Sequence, residues 1–345
     1  MVTVFASIVM CSSCPCSLPI WTICHDREID GIASKRKIPK PFEHCKSPMV
    51  SKYRFLRWKA SDFELAATEL GLRSLSPKCE TRRVTQRVCA VSYLNTVPLV
   101  WGLVRGPQRR LFDVSFCLPS ECSERMAAGE ADIGIVPSIE AARQGLAIIP
   151  GAGIACHGPV RSILLVTKVP PERIGTLATD SSSRSSAALA RIVLERRYGA
   201  QPRVVSMAPD LSAMLQAADA ALVIGDPALR LKPETLPFTT LDLGGEWVAM
   251  TGLPMVFAVW ACRPEALTPD LAEAFRGSCR YGLEHIEDII RAEAAPRGLS
   301  EALAREYLTH RVVLELGERE YEGMRLFVEY ARQSDTLVSS EGARA

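Results

Sequence analysis

The sequence predicts an α/β protein of two lobes joined by a hinge around a central cleft. Three observations carry this. From Val88 onward, short apolar runs alternate with helical stretches, the pattern of strands covered by helices. After Lys168 the run Val-Pro-Pro171 breaks the chain stiffly, and a second alternating unit begins. Met255–Ala261 then reads as one more buried strand, so the chain crosses to the second lobe near 168 and returns near 257.

The elements follow in order. Strands are expected at Val88–Tyr93, Val114–Cys117, Ile133–Val136, Ala147–Ile149 and Ser162–Lys168, with helices at Pro98–Val104, Ser120–Gly129 and Ile139–Gln144 between them. This alternation indicates a parallel sheet. Pro119-Ser120-Glu121 and Pro137-Ser138-Ile-Glu140 supply helix-start chemistry, a hydroxyl for free amides and an acid for the dipole. The second unit has strands at Ile174–Thr179, Arg203–Ser206 and Ala220–Ile224, with helices at Ser185–Tyr198 and Ser212–Ala217. Residues 269–335 form helical segments separated at Gly277, at Pro296–Ser300 and near Gly317. The first lobe therefore comprises 87–168 plus 257–335, the second 169–256, and 336–345 form a flexible tail.

Residues 1–86 differ in composition from all that follows. The first 87 residues hold 15 Lys/Arg against 8 Asp/Glu, whereas the remainder holds 26 against 31. The body is therefore net negative, with no long-range basic field for nucleic acid, and any anion it binds must be held by local donors. At 48% hydrophobic and 23% charged residues, and without an apolar run of membrane-spanning length, a soluble globular protein is expected, with no membrane partner. Met1–Met10 carries no basic residue ahead of its apolar run, so no secretion signal is expected. Residues 1–86 are expected to lie outside the working fold, either disordered, with at most one helix-like piece near Ala60–Leu72, or ahead of a true start at Val84. Removing 1–83 is expected to leave activity unchanged.

Six of twelve cysteines lie in this head and six in the body. Cys11-Ser-Ser-Cys14-Pro-Cys16 lacks a second, correctly spaced pair downstream and is not assigned as a metal or redox motif. The body cysteines, scattered singly among apolar residues, read as small buried hydrophobes in a reducing compartment.

In open α/β sheets ligands collect at the carboxyl ends of strands. Five polar loops fall there: Ser92, Tyr93, Asn95 and Thr96 after the first strand; Pro137-Ser138 after the third; Gly158-Pro-Val-Arg-Ser162 entering the crossing; Asp180-Ser-Ser-Ser-Arg-Ser185; and Gly225-Asp226-Pro227. The serine loop, with Ser182, Ser183 and Ser185, offers consecutive amides and hydroxyls at a helix start, an anion site that needs no net positive charge. Arg161 is either a bidentate clamp for a second carboxylate or a structural ion pair. Asn95 is either a ligand or a turn residue that starts the next helix. His157, alone near these loops, reads as a hydrogen-bonding or surface residue.

No phosphate-binding loop, dinucleotide fingerprint, Gly-x-Ser-x-Gly elbow or His-Glu-x-x-His is present. No metal or cofactor is expected.

Taken together, Ser92-Tyr-Leu-Asn-Thr-x-Pro98, Ala131-Asp-Ile-Gly-Ile-Val-Pro-Ser138, Gly158-Pro-Val-Arg-Ser162, the Asp180–Ser185 loop, Leu222-Val-Ile-Gly-Asp-Pro227 and Thr251-Gly-Leu-Pro-x-Val-Phe-Ala-Val-Trp260 resemble the chorismate dehydratases that open the futalosine route to menaquinone. The resemblance covers about 87–335 in unchanged order, and nothing in 1–86 takes part. It implies a type II periplasmic-binding-protein-like fold serving as a cytoplasmic hydro-lyase, with chorismate as substrate and 3-[(1-carboxyvinyl)oxy]benzoate as product. It also implies Asn95 and Ser162 as the central polar residues. Asn95 would hydrogen-bond the reacting part of the substrate, and Ser162 would orient it or help the hydroxyl leave. Two other readings stay open: a non-catalytic binding protein for a small aromatic or dicarboxylate anion, and the sister enzyme that makes dihydroxynaphthoate.

Overall fold

The computed structural model describes residues 5–9, 20–24, 85–180 and 184–342. The chain divides into two units, 1–83 and 84–345. In the first, β1 (Phe5–Val9) pairs antiparallel with β2 (Ile20–Cys24), a hairpin the sequence does not announce. Cys11-Ser-Ser-Cys14-Pro-Cys16, the helix-like piece near 60–72 and the Val84 start lie outside the described residues.

The second unit is built on two sheets. Its first strands are β3 (Gln86–Val91), β4 (Phe112–Cys117), β5 (Ile133–Pro137) and β6 (Ala147–Cys156). After β6 come β7 (Ile163–Thr167), β8 (Thr176–Asp180), β9 (Arg203–Met207), β10 (Ala220–Ile224) and β11 (Thr239–Asp242), and then β12 (Met255–Cys262) and β13 (Val313–Glu315). The six-stranded sheet has the order β13-β6-β12-β5-β3-β4, and the five-stranded sheet β11-β7-β10-β8-β9.

Both sheets are mixed rather than purely parallel. β4, β3 and β5 run parallel, as do β10, β8 and β9, but β12 pairs antiparallel with β5 and β6, and β7 antiparallel with β10 and β11. β7 is entered from β6 through residues 157–162, without the helical crossover that parallel pairing needs.

β7 also moves the expected boundary. All five of its residues are buried, a run that needs partners on both sides, and it finds them in the second sheet. The crossing therefore occupies 157–162 rather than a point near 168.

The helices are α1 (Val97–Arg105), α2 (Pro119–Ala128), α3 (Ser138–Arg143), α4 (Arg184–Tyr198), α5 (Leu211–Ala217), α6 (Gly225–Arg230), α7 (Leu243–Thr251), α8 (Pro269–Glu284), α9 (Ile286–Glu293), α10 (Glu301–Glu306) and α11 (Glu318–Gly342). Most starts are legible. Glu121 accepts from the Leu118 amide at 3.1 Å, and Asp242 accepts from the amides of Gly244 and Gly245. Gly277, expected as a break, lies inside α8. A side chain there would come within 2.7 Å of Gln108, so this glycine permits close packing rather than ending the helix. α11 extends as far as Gly342, into the stretch expected to be a flexible tail.

Aromatic rings fill the first sheet's core, with Trp260 and Phe275 centroids 4.7 Å apart and Phe275 beside Phe112. No helix among the described residues is long and apolar enough to cross a membrane.

Candidate active site

Between the carboxyl ends of β3, β5 and β10 lies a small cavity, in the place where ligands collect in open α/β sheets. Its walls are chiefly apolar, from Val91, Ile135, Ile154, Ile163, Ile224 and Phe257. The polar lining is Tyr93, Asn95, Ser162, Ser185 and Ser186, with no carboxylate, imidazole, ammonium or guanidinium among the described lining residues.

Anion affinity in such a cavity must come from backbone dipoles. Asn95 sits in the 3-10 turn Leu94–Thr96, Pro119 opens α2, Pro137 caps α3, Ser185 and Ser186 lie in the first turn of α4, and Gly225 opens α6. Helix starts thus converge on one space, each bringing partial positive charge without a cation. This suits a body of net negative charge.

Two of the polar groups are linked through a third residue. Asn95 Nδ2 donates to the Tyr307 hydroxyl at 3.0 Å, and Tyr307 donates to Ser162 Oγ at 2.9 Å. Asn95, Tyr307 and Ser162 are all buried. Tyr307 begins the π-helical turn Tyr307–Arg311 that follows α10, a wide turn of the kind that recurs at functional sites. Burial pushes its phenol pKa up, against hydrogen bonds with Ser162 and Asn95, so the hydroxyl keeps its proton.

The backbone around these groups is fixed. Asp226 Oδ1 accepts from the Leu94 amide at 3.0 Å, and Oδ2 lies 3.2 Å from Arg297, joining the β3 turn to the start of α6. Burial raises the Asp226 pKa, while the Leu94 amide and Arg297 oppose it. Gly225 has φ +62°, and a side chain on it would come within 2.7 Å of the Tyr93 ring. Asp242 accepts from the amides of Val160 at 2.9 Å and Arg161 at 2.6 Å, which holds the residues leading into Ser162.

Of the residues expected from sequence, Tyr93, Asn95, Ser162 and Ser185 line the cavity. Others face elsewhere. Ser92 donates to the Cys117 carbonyl, and Ser138 donates to the Val256 carbonyl at 2.7 Å. Thr96 is fully buried beside Asn95, and Asp226 is occupied by Leu94 and Arg297.

Arg161, expected as a clamp or a structural ion pair, is engaged away from the cavity lining. With φ +70°, its guanidinium donates to the carbonyls of Ala228 and Leu231 near the end of α6, so it holds backbone rather than a carboxylate ligand. Arg184 of the serine loop likewise pairs with Glu140 and Glu124. Ser182 and Ser183 lie outside the described residues. His157 bonds Glu320 at 2.6 Å with its side chain largely exposed, in keeping with a hydrogen-bonding surface residue.

Tyr307, Ser186 and Phe257 are not foreseen as site residues. Ser186 extends the serine run and could have been included. Tyr307 carries no local motif, because its partners lie 212 and 145 positions away.

Comparison with known proteins agrees with this architecture. A sequence model of the menaquinone-biosynthesis family matches residues 86–333. The chorismate dehydratase of Thermus thermophilus is 31% identical over 215 residues, covering 57% of this chain and 79% of that protein. The chorismate dehydratase of Campylobacter jejuni is 27% identical over 190 residues, covering 54% and 71%. Among solved structures, an Archaeoglobus fulgidus protein superposes with a TM-score of 0.60 at 19% identity, covering 73% of this chain and 98% of that one. The periplasmic aliphatic sulphonate binding protein of Escherichia coli gives 0.51 at 15%, covering 73% and 88%. The fold is that of periplasmic binding proteins, and the chain belongs to the menaquinone-biosynthesis family that includes the chorismate dehydratases.

Proposed function

We propose that this chain is a chorismate dehydratase, converting chorismate to 3-[(1-carboxyvinyl)oxy]benzoate and water in the cytoplasm. The observation that carries this reading beyond family membership is the linked set Asn95, Tyr307 and Ser162 beside a cavity whose described lining carries no charged side chain. The reaction breaks the C–H bond at the ether-bearing ring carbon and the C–O bond of the neighbouring hydroxyl, and the new double bond completes an aromatic ring. Much of the driving force is therefore intrinsic to the substrate. The protein's task is to hold, orient and exclude water, and positioning of this kind contributes up to about 7–11 kcal/mol in favourable cases.

Each group has a role that needs no protein base. Asn95 orients the reacting part of the substrate by hydrogen bonding. Ser162 Oγ, accepting from Tyr307, directs its own hydrogen at the departing hydroxyl. The substrate's enolpyruvyl carboxylate takes the ring proton and passes it to the departing hydroxide, which leaves as water, and the helix starts hold the carboxylates. The free, buried thiols of the body support a reducing compartment.

Incubating the purified full chain with chorismate and following the product by chromatography and mass tests the reading. The expected result is a stoichiometric aromatic enolpyruvyl ether. Tight binding of chorismate without turnover would make the protein a binding module instead.

A further inference from the structure

The six body cysteines are dispersed in sequence, yet three of them converge. Cys89 lies in β3, Cys117 ends β4 and Cys122 lies in α2. Their sulfurs form a nearly equilateral triangle, with Cys89 to Cys117 at 2.9 Å, Cys89 to Cys122 at 3.0 Å and Cys117 to Cys122 at 3.2 Å. All three are buried, and this is the only group of three or more metal-ligating side chains with that proximity among the described residues.

We propose that Cys89, Cys117 and Cys122 form a three-thiolate site for a thiophilic d10 ion, held three-coordinate as Cu(I). A disulfide would join two sulfurs and leave the third without a role, whereas each sulfur here faces both others. Soft thiolate sets select Cu(I) and Zn(II), and structural zinc sites take four ligands. Among the described residues no His, Asp, Glu or further Cys completes a fourth position in this group. With metal–sulfur bonds of about 2.3 Å, a planar three-sulfur site has its sulfurs about 4 Å apart. Loading therefore spreads each pair by roughly 1 Å, a displacement within reach of side-chain rotation.

The site would also bear on the cavity. The Cys117 carbonyl accepts from both the amide and the hydroxyl of Ser92, and Val91 and Pro119, neighbours of the cluster on β3 and α2, line the cavity wall. A metal joining β3, β4 and α2 would fix the base of the turn that carries Asn95.

The test is anaerobic loading of the reduced full chain with Cu(I) from a competing chelator, read by native mass spectrometry, copper X-ray absorption and thermal melting. Copper bound by head cysteines is separated by comparison with Cys122→Ser and Cys117→Ser. The wild type should hold one more Cu(I) than each variant, in an all-sulfur three-coordinate environment. Its melting temperature should rise by several degrees on loading, a rise absent from both variants. Thermal melting of the wild type alone retains the test should the variants not fold. An equal copper count in wild type and folded variants, no rise in melting temperature, displacement of Cu(I) by Zn(II), or recovery of the trio as a disulfide from anaerobic preparations would each overturn the proposal.

Discussion

Tyr307 donates its hydroxyl hydrogen to Ser162 Oγ at 2.9 Å while accepting from Asn95, so one buried phenol from the C-terminal helical region joins two turns of the amino-terminal half. Residues that share a hydrogen-bonded partner are expected to act as a unit. Deleting one should misalign the others, and the effects of two deletions should not multiply.

Tyr307→Phe removes only the oxygen. Turnover should fall at least tenfold, a barrier change of about 1.4 kcal/mol, as it should for Asn95→Ala and Ser162→Ala. The Asn95→Ala/Tyr307→Phe double variant should lose less than the product of the single losses. Steady-state kinetics with melting curves check this. Wild-type turnover accompanied by a lower melting temperature in Tyr307→Phe would make the phenol a structural strut.

Arg161 offers a contrast beside the same site. Its guanidinium holds the carbonyls of Ala228 and Leu231, so Arg161→Ala should cost about 1.5–3 kcal/mol of stability through lost charged hydrogen bonds. The folded fraction should keep a KM within about threefold of wild type, well below the tenfold that 1.4 kcal/mol of lost binding would give. A tenfold or larger rise in KM with unchanged melting would restore the clamp.

The difference between these two residues explains what could be read from sequence. Strand ends with polar loops are local patterns, and they located Tyr93, Asn95, Ser162 and Ser185 at the cavity. The direction of a side chain at a loop is not local. Arg161 turns away because φ +70° and Asp242 set its backbone, and Ser138 turns to the Val256 carbonyl of a strand that arrives 118 positions later. Tyr307 and the cysteine trio are contacts between distant elements, with no spacing to betray them. The mixed pairing of the sheets escaped for the same reason. Residues of a strand buried on both faces look alike whichever way the neighbour runs.

Gly225 tests how tightly the cavity wall is set. At φ +62°, and with the Tyr93 ring 2.7 Å from the position of an added Cβ, Gly225→Ala meets both backbone strain and a steric clash. The expected cost is about 1–3 kcal/mol. Because Tyr93 lines the cavity, its displaced ring should also raise the KM for chorismate. Melting and kinetics should therefore worsen together. A variant with lowered stability and unchanged KM would mean that Tyr93 does not touch the substrate.

Asp226 gives the pH-dependent prediction. Burial raises its pKa above the ordinary value of 3.8, although the Leu94 amide and Arg297 favour its charged form. The unfolded chain then loses this proton at lower pH than the folded one. The carboxyl's contribution to stability is accordingly full below the unfolded value and is lost as pH rises through the raised folded value. Asp226→Asn does not titrate, so the melting temperature of the variant relative to wild type should climb as pH rises from about 3.5 to 7, whatever the offset between them at acid pH. At neutral pH the same substitution removes the charge facing Arg297 and loosens the tie between the β3 turn and α6, so KM should rise even where stability improves. Thermal melting across the pH series, paired with kinetics at neutral pH, separates the two effects. A melting temperature of the variant relative to wild type that stays flat or falls as pH rises would show that ionising Asp226 carries no burial cost, and that its amide and guanidinium partners compensate it fully.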